Sequence, residues 1–570
     1  MKIQKFLIIP ILFTLLVGCS SNPKNGADSI YFNGDILTMD GDKPSYVEAV
    51  AVSKGKIVFT GSKKLAFAMK NKSTKLRDLA GNTLLPGFID PHGHFMAALA
   101  MVDQVNLSSP PAGTVTDIPS IIAKLQEFQK QRQVAEGEWI IGWGYDQDQL
   151  LEHRHITKGD IDAYFPNHKV MLIHVSMHGV VLNSKALLWA GVNAETSTPA
   201  GGVIARMEGS NEPAGLLMEM AYLPIYKKMP RASESQRLES MKAAQMLYAK
   251  EGYTHINEGF TNLSDLDFLI RAANEDKIFL DINSLPSFAD AEKWMGNANY
   301  KFGEYNKGLK LQGIKFTQDG SPQAKTAHFS TPYLTGGLTG DKDWYGETTQ
   351  PKANFIKQVK TAFDAGLQVF IHANGDATID QAIEAVEAAG ITAKDDRRTV
   401  IVHSQFQRPD QLDKYQQLGI SPSYFTNHTF YWGDVHIKNV GLERASFISP
   451  IKAAADKGIP YSIHTDFYVT PLDPFFIIWT AMTRQTRAGV ILGADQRVDA
   501  YAALKGFTTG AAWQFFEENR TGKIKQGLLA NFAIVSANPV KTPVDQIRDI
   551  EVIETIKEDK TVYLAAHQVK

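Results

Sequence analysis

Two histidines, His92 and His94, stand two residues apart at the end of the segment Pro-Gly-Phe-Ile-Asp-Pro-His-Gly-His, residues 86–94. The apolar residues before them are typical of a buried strand, and side chains two apart in a strand point to the same face. Two imidazoles on one face of a rigid element can bind one metal ion, which would activate water. The segment therefore predicts a metal-dependent hydrolase, although taken alone it also fits two polar residues in a turn.

Further polar residues end apolar runs of the same kind, and their side chains suit the same chemistry. They are Lys315, His372, His403 and Asp466. Barrel enzymes place their chemistry at the carboxyl ends of parallel strands, which meet at one face. Imidazole and carboxylate are ligands for zinc and similar divalent ions. We therefore predict one site that these four residues share with the two histidines.

The elements that must position this site lie between residues 86 and 517, where apolar strands alternate with amphipathic helices. This alternation predicts a parallel sheet and, at this length, a (β/α)8 barrel. We expect the eight strands at residues 88–90, 254–258, 279–284, 313–317, 368–371, 399–402, 420–424 and 460–463. The interval at about 100–235 is too long for one connection and predicts an inserted lid or subdomain.

Short β runs separated by turn signals dominate both ends of the chain, at residues 28–85 and 518–570. Asn33-Gly34, Asp40-Gly41 and Ser53-Lys54-Gly55-Lys56 mark turns in the first of these regions. We predict that the two ends form one small β-sandwich domain, with the barrel inserted between them.

The first 18 residues have the composition of a secretory signal, with Lys2 and Lys5 before a short apolar run. The single cysteine, Cys19, follows Leu-Val-Gly, and this sequence resembles the lipobox of bacterial lipoproteins, in which the thiol receives a diacylglyceryl group. Ser20 resembles the next residue of lipoproteins sorted to an outer membrane. We expect a lipid-anchored protein of the bacterial cell envelope, on the periplasmic side of the outer membrane, with a flexible tether at residues 19–27. A plain secretory signal with an incidental cysteine is the alternative.

The overall composition excludes several classes of protein. The 59 basic and 61 acidic residues leave a formal net charge of −2, which gives no reason to expect nucleic-acid binding. A hydrophobic content of 44% excludes a disordered or fibrous chain. One cysteine cannot form an intramolecular disulfide, so the core must stabilise the fold.

The motifs together resemble the amidohydrolase superfamily, and most closely its amidohydrolase-3 branch, which includes N-substituted formamide deformylases. Residues 86–94 carry this resemblance together with Gly-Trp-Gly-Tyr-Asp at 142–146, Pro-Ala-Gly-Leu-Leu-Met-Glu at 213–219, Ile-His-Ala-Asn-Gly-Asp at 371–376, His-Ser-Gln at 403–405 and Gly-Lys-Ile-Lys-Gln-Gly at 522–527. The motifs cover nearly the whole chain after the signal. The resemblance implies an α/β fold, with a metal-bearing (β/α)8 TIM-like barrel and a β-sandwich domain built from both chain ends.

The resemblance also implies the metal ligands. One ion would be held by His92, His94 and Asp466, and a second by His372 and His403. Lys315 matches the superfamily lysine whose carbamate bridges two metals, because carboxylation converts a cationic amine into an anionic ligand.

Several alternatives for this site stay open. If Lys315 is instead an ordinary lysine held by Asp319 or another carboxylate, the site is mononuclear, or Glu219 approaches from the lid as a ligand or a substrate contact. His464, two residues before Asp466, either faces the site or supports a ligand from behind.

The ligand set implies a mechanism. Zinc lowers the pKa of a bound water to roughly 7, and the resulting hydroxide would attack a carbonyl polarised by metal. Asp466 would take up the proton and return it to the leaving group. The second metal, or a lid group such as His178, would stabilise the developing oxyanion. His178 lies in Ser-Met-His where the family has Asp-Gly-His.

We therefore predict a hydrolase of a non-peptide C–N bond in a small molecule, an amide, N-substituted formamide or related compound. It would use one or two divalent transition-metal ions, with zinc the first candidate. A deaminase or iminohydrolase of the same superfamily is the alternative, and the absence of a Glu in a His-x-x-Glu pattern at His372 disfavours it. A non-catalytic surface binding protein that keeps the fold is a further alternative. Such a protein would not need the complete set of metal ligands, so the presence of that set disfavours it. Barrels of this superfamily often pair, so a homo-oligomer is left open.

Overall fold

The computed structural model describes residues 26–101, 104–229, 232–337 and 340–566. The predicted signal, the predicted lipidation residue Cys19 and the predicted tether up to residue 25 lie outside these ranges. Within the described ranges, no helix combines the length and the apolarity that a membrane crossing requires.

The amino-terminal region is a set of strands with one short helix. Their bounds are β1 (Ala27–Leu37), β2 (Tyr46–Ser53), β3 (Lys56–Gly61), α1 (Lys63–Phe67), β4 (Lys70–Asp78) and β5 (Thr83–Pro86). The predicted turn between β2 and β3 is a two-residue loop, in which Lys54 and Gly55 have φ angles of 53° and 72°. Two positive φ angles give a hairpin loop that matches the right-handed twist of its strands.

A long insertion follows the first barrel strand, β6 (Phe88–Ile89), and its helix, α2 (Phe95–Met101). The insertion contains β7 (Val105–Asn106), α3 (Ile118–Arg132), β8 (Trp139–Tyr145), α4 (Lys158–Asp162), β9 (Lys169–His174), β10 (Gly179–Leu182), α5 (Ser184–Ala190), β11 (Gly202–Arg206), β12 (Pro213–Glu219) and α6 (Leu223–Lys228). Its strands form one sheet in the order β11-β12-β10-β9-β8-β7. An apolar core that includes Ile121, Leu125 and Ile140 supports this sheet.

The barrel continues with alternating helices and strands. They are α7 (Glu234–Lys250), β13 (Tyr253–Thr261), α8 (Leu263–Asn274), β14 (Asp281–Pro286), α9 (Ala291–Trp294), β15 (Tyr305–Asn306), β16 (Leu309–Leu311), β17 (Ile314–Thr317), α10 (Lys352–Asp364), β18 (Val369–Ala373), α11 (Asp376–Ala388), β19 (Val400–His403), α12 (Pro409–Leu418), β20 (Ser421–Tyr424), α13 (His428–Tyr431), α14 (Gly433–Val440), α15 (Leu442–Ser446), α16 (Ile451–Asp456), β21 (Ser462–Ile463), α17 (Pro474–Thr483), α18 (Ala500–Gly506) and α19 (Thr509–Gln514). Parallel pairing joins β6, β13, β14 and β16 in one arc and β17 to β21 in another. Bridges at Ser287–Lys315 and Gly93–Phe467 join the arcs and close the barrel.

The barrel helices pack through one apolar face, as their sequences require. Helix α10 buries Phe355, Val359, Ala362 and Phe363, a spacing of four, three and one residues that defines a single helical stripe. Helix α12 begins with Pro409 in its first turn and ends at Gly419, whose φ is 66°. Proline at the start and glycine at the end are the usual helix boundaries, and they fix where the next strand begins.

The fourth barrel strand differs from the prediction because it is broken. The predicted strand at 313–317 corresponds to β17. The strand just before it, β16, pairs with β14, whereas β17 pairs with β18 on the other side. At Gly313, a Cβ atom would lie 2.6 Å from the carbonyl oxygen of Gln368. Glycine is therefore needed where the neighbouring strand approaches, and the chain changes partner at this point.

The carboxyl-terminal strands return to the amino-terminal ones. Strands β22 (Phe532–Val535), β23 (Val552–Lys557) and β24 (Lys560–Leu564) extend a sheet of order β24-β23-β22-β5-β1-β2-β3, with β4 paired to β1. The Ile57 amide donates to the Leu528 carbonyl at 2.9 Å, so the two ends of the chain meet again across this domain. The predicted fold class, an α/β TIM-like barrel with a β-sandwich domain from both chain ends, is confirmed.

Candidate metal centre

The carboxylate of Asp466 lies at the centre of a group of imidazoles at the carboxyl end of the barrel. Asp466 follows β21, and His92 and His94 follow β6, which is the strand that closes the barrel beside it. Asp466 Oδ1 is 3.4 Å from His92 Nε2 and 3.1 Å from His94 Nε2, and Asp466 Oδ2 is 3.9 Å from His403 Nε2. Two strand ends that are far apart in the sequence, at Ile89 and Ile463, thus converge on one carboxylate.

The remaining predicted histidine ligand lies against His403. His403 ends β19 and His372 lies in β18, the neighbouring strand, and His403 Nε2 is 3.0 Å from His372 Nδ1. His372 Nε2 lies 3.2 Å from the carbonyl oxygen of Gly320 and 3.0 Å from the amide nitrogen Nδ2 of Asn374, and Asn374 Nδ2 donates to the same carbonyl at 2.9 Å. These contacts on Nε2 fix the orientation of the His372 ring, with Nδ1 toward His403.

Electrostatics make these side chains good metal donors. Burial lowers the pKa values of His92, His372 and His403, so the three imidazoles are neutral near pH 7 and keep a free lone pair. Burial alone would raise the pKa of Asp466, but its contact with His94 and the neighbouring positive charges hold that pKa below the usual value. The centre therefore offers an ionised carboxylate among neutral imidazoles.

The spacing of the donors fits a metal ion. Ligand atoms of His92, His403 and Asp466 all lie within 4.8 Å of one another. Two ligands that are each about 2.1 Å from a tetrahedral zinc ion are about 3.4 Å apart. The separations of 3.1 to 3.9 Å around Asp466 are close to that value, so the donor set fits a divalent ion in both chemistry and distance.

Lys315 lies among the same histidines. It is in β17 and only 3% exposed, and burial lowers its pKa to about 7. Its charge lowers the pKa values of His92, His372 and His403, which places the amine among them. Among the described residues, no carboxylate forms an ion pair with this amine.

The alternative partner of Lys315, Asp319, is engaged elsewhere. The Asp319 carboxylate accepts from the amides of Asn374 and Gly375, at 3.0 and 2.9 Å, and from the amide of His328 at 3.1 Å. It thus fixes the loop that follows His372.

The insertion supplies two polar residues over the barrel end. His178 precedes β10 and Glu219 ends β12, and His178 Nδ1 is 3.0 Å from Glu219 Oε2. The rings of His178 and His372 are 5.5 Å apart. Both residues therefore lie beside the metal donors, and Glu219 contacts His178.

His464 lies behind His403. Its Nε2 atom is 3.1 Å from His403 Nδ1, and its Nδ1 atom is 2.9 Å from the hydroxyl of Ser423. His464 therefore contacts His403 directly, and its ring is 5.2 Å from the ring of His92.

Two buried carboxyl groups beside the centre were not among the predicted site residues. Burial raises the pKa values of Asp90 and Glu258 to about 7. Glu258 accepts from the amide of Met96 at 2.6 Å, and Asp90 accepts from the amide of His92 at 3.2 Å, so both hold the segment that carries His92 and His94. Glu258 ends the second predicted strand and Asp90 ends the first. A carboxyl residue at the end of a predicted barrel strand was therefore the sequence signal that could have identified both as site residues.

The comparisons with known proteins agree with this geometry. The sequence profile of the amidohydrolase family matches residues 75–563. A Bacillus subtilis (strain 168) protein, YtcJ, provisionally named an amidohydrolase, is 27% identical over 550 residues, which are 94% of this chain and 99% of the relative. The N-substituted formamide deformylase of Arthrobacter pascens is 25% identical over 545 residues, 93% of this chain and 97% of the relative. The crystal structure of an uncharacterized metal-dependent hydrolase from Pyrococcus horikoshii OT3 has a TM-score of 0.71 at 22% identity, covering 91% of this chain and 99% of that one.

Proposed function

This chain belongs to the amidohydrolase family, and we propose that it hydrolyses a non-peptide C–N bond in an amide, an N-substituted formamide or a related small molecule. The observation that carries the proposal is the Asp466 carboxylate, which faces the imidazoles of His92, His94 and His403 at 3.1 to 3.9 Å. The likeness to a formamide deformylase along almost the whole of both chains supports this bond type.

The residues that would hold the metal fall into two groups around Lys315. His92, His94 and Asp466 would hold one ion and His372 and His403 another, with Lys315 as a carbamate between them. A divalent ion, for which we propose zinc, supplies an acidified water molecule and polarises the carbonyl group of the substrate.

The chain itself would move the proton and stabilise charge. Asp466 would accept the proton of the attacking water and return it to the leaving nitrogen, since its side chain is 12% exposed and so reaches the cleft. His178, which is 19% exposed, would donate to the oxygen on which negative charge develops.

One feature of the backbone favours hydrolysis of an amide over deamination. The residue that would be the Glu of a His-x-x-Glu pattern is Gly375. A Cβ atom there would lie 2.0 Å from the carbonyl oxygen of His328, so no side chain fits at this position. The proton shuttle that such a Glu would provide has no place in this loop.

We also propose that the protein is anchored in the cell envelope through Cys19. The support is the sequence alone, in which the single cysteine directly follows an apolar signal. Replacing Cys19 with Ser should release the protein from the membrane fraction and prevent labelling by a fatty-acid probe.

The test of the activity is hydrolysis of a panel of N-substituted formamides, acetamides and aminopurines, with and without removal of metal by a chelator. We expect formate or acetate together with the free amine, loss of turnover with chelator and recovery with zinc. Ammonia from the aminopurines alone would favour a deaminase. Binding without turnover of any compound by the metal-loaded protein would favour a binding protein.

A further inference from the structure

The pair formed by His178 and Glu219 has a geometry that a surface ion pair lacks. His178 directly precedes β10 and Glu219 ends β12, the strand that pairs with β10, and the Glu219 amide donates to the His178 carbonyl at 2.8 Å. The side-chain contact of 3.0 Å between His178 Nδ1 and Glu219 Oε2 lies above this backbone bond. The side chains are only 19% and 15% exposed, so solvent screens their attraction weakly.

The backbone of Glu219 is in an unusual conformation. Its φ angle is 49°, in the left-handed region that residues other than glycine seldom adopt. Such conformations persist where the surrounding structure holds them, and they cluster at functional sites. Here the conformation ends β12 and turns the Glu219 carboxylate toward His178.

The other side of the Glu219 carboxylate rests on the barrel. A Cβ atom at Gly320 would lie 2.5 Å from Glu219 Oε1, so the absence of a side chain there makes room for the carboxylate. The carbonyl oxygen of the same Gly320 lies 3.2 Å from His372 Nε2. One loop of the barrel therefore contacts both a predicted metal ligand and the carboxylate that holds His178.

We propose that Glu219 is a positioning residue, which fixes the ring of His178 through Nδ1 so that Nε2 serves the reacting oxygen, and that it is not a metal ligand. A carboxylate that orients an imidazole through one ring nitrogen leaves the other free for the substrate. Among the described residues, none forms a hydrogen bond with His178 Nε2. The role given to His178 rests on the proposed hydrolase function, but the fixing of its ring does not.

Burial and charge at His178 agree with this arrangement. Burial alone would lower the pKa of His178, but the charge and the hydrogen bond of Glu219 raise it above the usual value. A donor at the reacting oxygen is what an oxyanion requires.

The experiment compares Glu219→Gln, Glu219→Ala, His178→Ala and the double variant Glu219→Ala/His178→Ala. The matched control is Glu212→Gln, because Glu212 is in the same insertion and its 3.5 Å ion pair with Lys158 is 57% exposed on the Glu212 side. We expect kcat to fall about tenfold in Glu219→Gln, whose amide oxygen can still accept from Nδ1, and about 10²-fold in Glu219→Ala, a loss of the size seen for one oxyanion donor. KM should stay within about twofold, metal content should not change, and the double variant should be no slower than His178→Ala.

Crystal structures of the parent and of Glu219→Ala give a readout that needs no activity. We expect the His178 ring to turn away from its position beside His372 in the variant. A ring that stays in place, effects of the two residues that multiply, or loss of metal from Glu219→Gln would each overturn the proposal. If the parent hydrolyses no amide, the proposed function fails, while the ring positions still decide whether Glu219 fixes His178.

Discussion

Both ends of the barrel bury polar side chains but balance their charges in opposite ways. At the amino end of the strands, Asp281 Oδ2 lies 2.7 Å from Arg520, 3.0 Å from His255 and 3.2 Å from Lys557. At the carboxyl end, Asp466 faces imidazoles whose pKa values burial has lowered, and Lys315 lies among them with its own pKa lowered to about 7.

This difference in charge balance distinguishes buried polar groups that stabilise the fold from those that could serve a ligand. A buried charge is tolerated when opposite charges surround it, as Lys310 and Glu517 also show at the amino end with a separation of 2.6 Å. Neutral imidazoles packed within about 3 Å of one another gain little from the protein itself, and a bound cation would stabilise them. The carboxyl end is therefore arranged for a ligand, and the amino end for stability.

The largest expected effect is on catalysis at the carboxyl end. Replacing Asp466 with Ala should lower the rate of amide hydrolysis by about 10³-fold or more, because the residue acts together with the whole group. The free energy of unfolding of the metal-free protein should change by less than about 1 kcal/mol or rise, since burial opposes the charge of Asp466 and the facing imidazoles of His92 and His403 are neutral. Substrate turnover and urea unfolding with a chelator measure the two quantities.

The reverse pattern is expected for Asp281 at the amino end. Asp281→Asn leaves Arg520 and Lys557 without their shared carboxylate and should cost about 3–5 kcal/mol of unfolding free energy. Metal content and kcat of the folded protein should stay unchanged, as urea unfolding and metal analysis will show.

The control for Asp281 is Asp40→Asn, at a half-buried carboxylate that pairs with Lys523 and Lys525 and should change stability by less than about 1 kcal/mol. The positive groups hold the pKa of Asp281 below its usual value, so its contribution is present above about pH 4 and is lost as the pH falls further. An Asp281→Asn variant that is as stable as the parent at pH 7 would contradict the claim that the buried charges at the amino end of the barrel stabilise the fold.

A smaller effect is expected at Glu251, a half-buried carboxyl near the amino end without such compensation. Burial and the charge of Asp473 raise its pKa to about 7, so folding becomes less favourable as the pH rises from about 4.5 to about 7. Glu251→Gln should therefore match the parent near pH 4 and be more stable at pH 7, by an amount of up to about 3 kcal/mol. Thermal unfolding at several pH values measures this difference in stability. The control is Glu239→Gln, at an exposed position on helix α7, which ends just before Glu251. A constant difference at all pH values would show that titration of Glu251 is not its cause.

Much of the barrel was predictable because its strands are short apolar runs that end in a polar residue. His403 ends β19, and His92 and Asp466 follow β6 and β21 closely, so the convergence of these residues followed from the parallel arrangement alone. The domain boundaries at 85/86 and 517/518 and the roles of the individual site residues stay predictions.

Contacts that depend on packing were not readable from the sequence. The contact of Glu219 with His178 arises from the pairing of β10 with β12 inside the insertion, which has no simple sequence signal. Arg484 is only 1% exposed and its side chain donates to the carbonyls of Leu492, Ser449 and Ile448, so this buried charge has a structural role that no sequence motif indicated.

The most direct test of the account is the metal content of the parent protein beside that of Lys315→Ala and Asp281→Asn, each reconstituted with zinc and freed of loosely bound ions. We predict about two equivalents per chain in the parent and in Asp281→Asn, and about one or fewer in Lys315→Ala. Equal contents in all three would remove Lys315 from the centre. A parent protein that binds no metal after reconstitution would contradict the claim that the carboxyl end of this barrel is built for a cation.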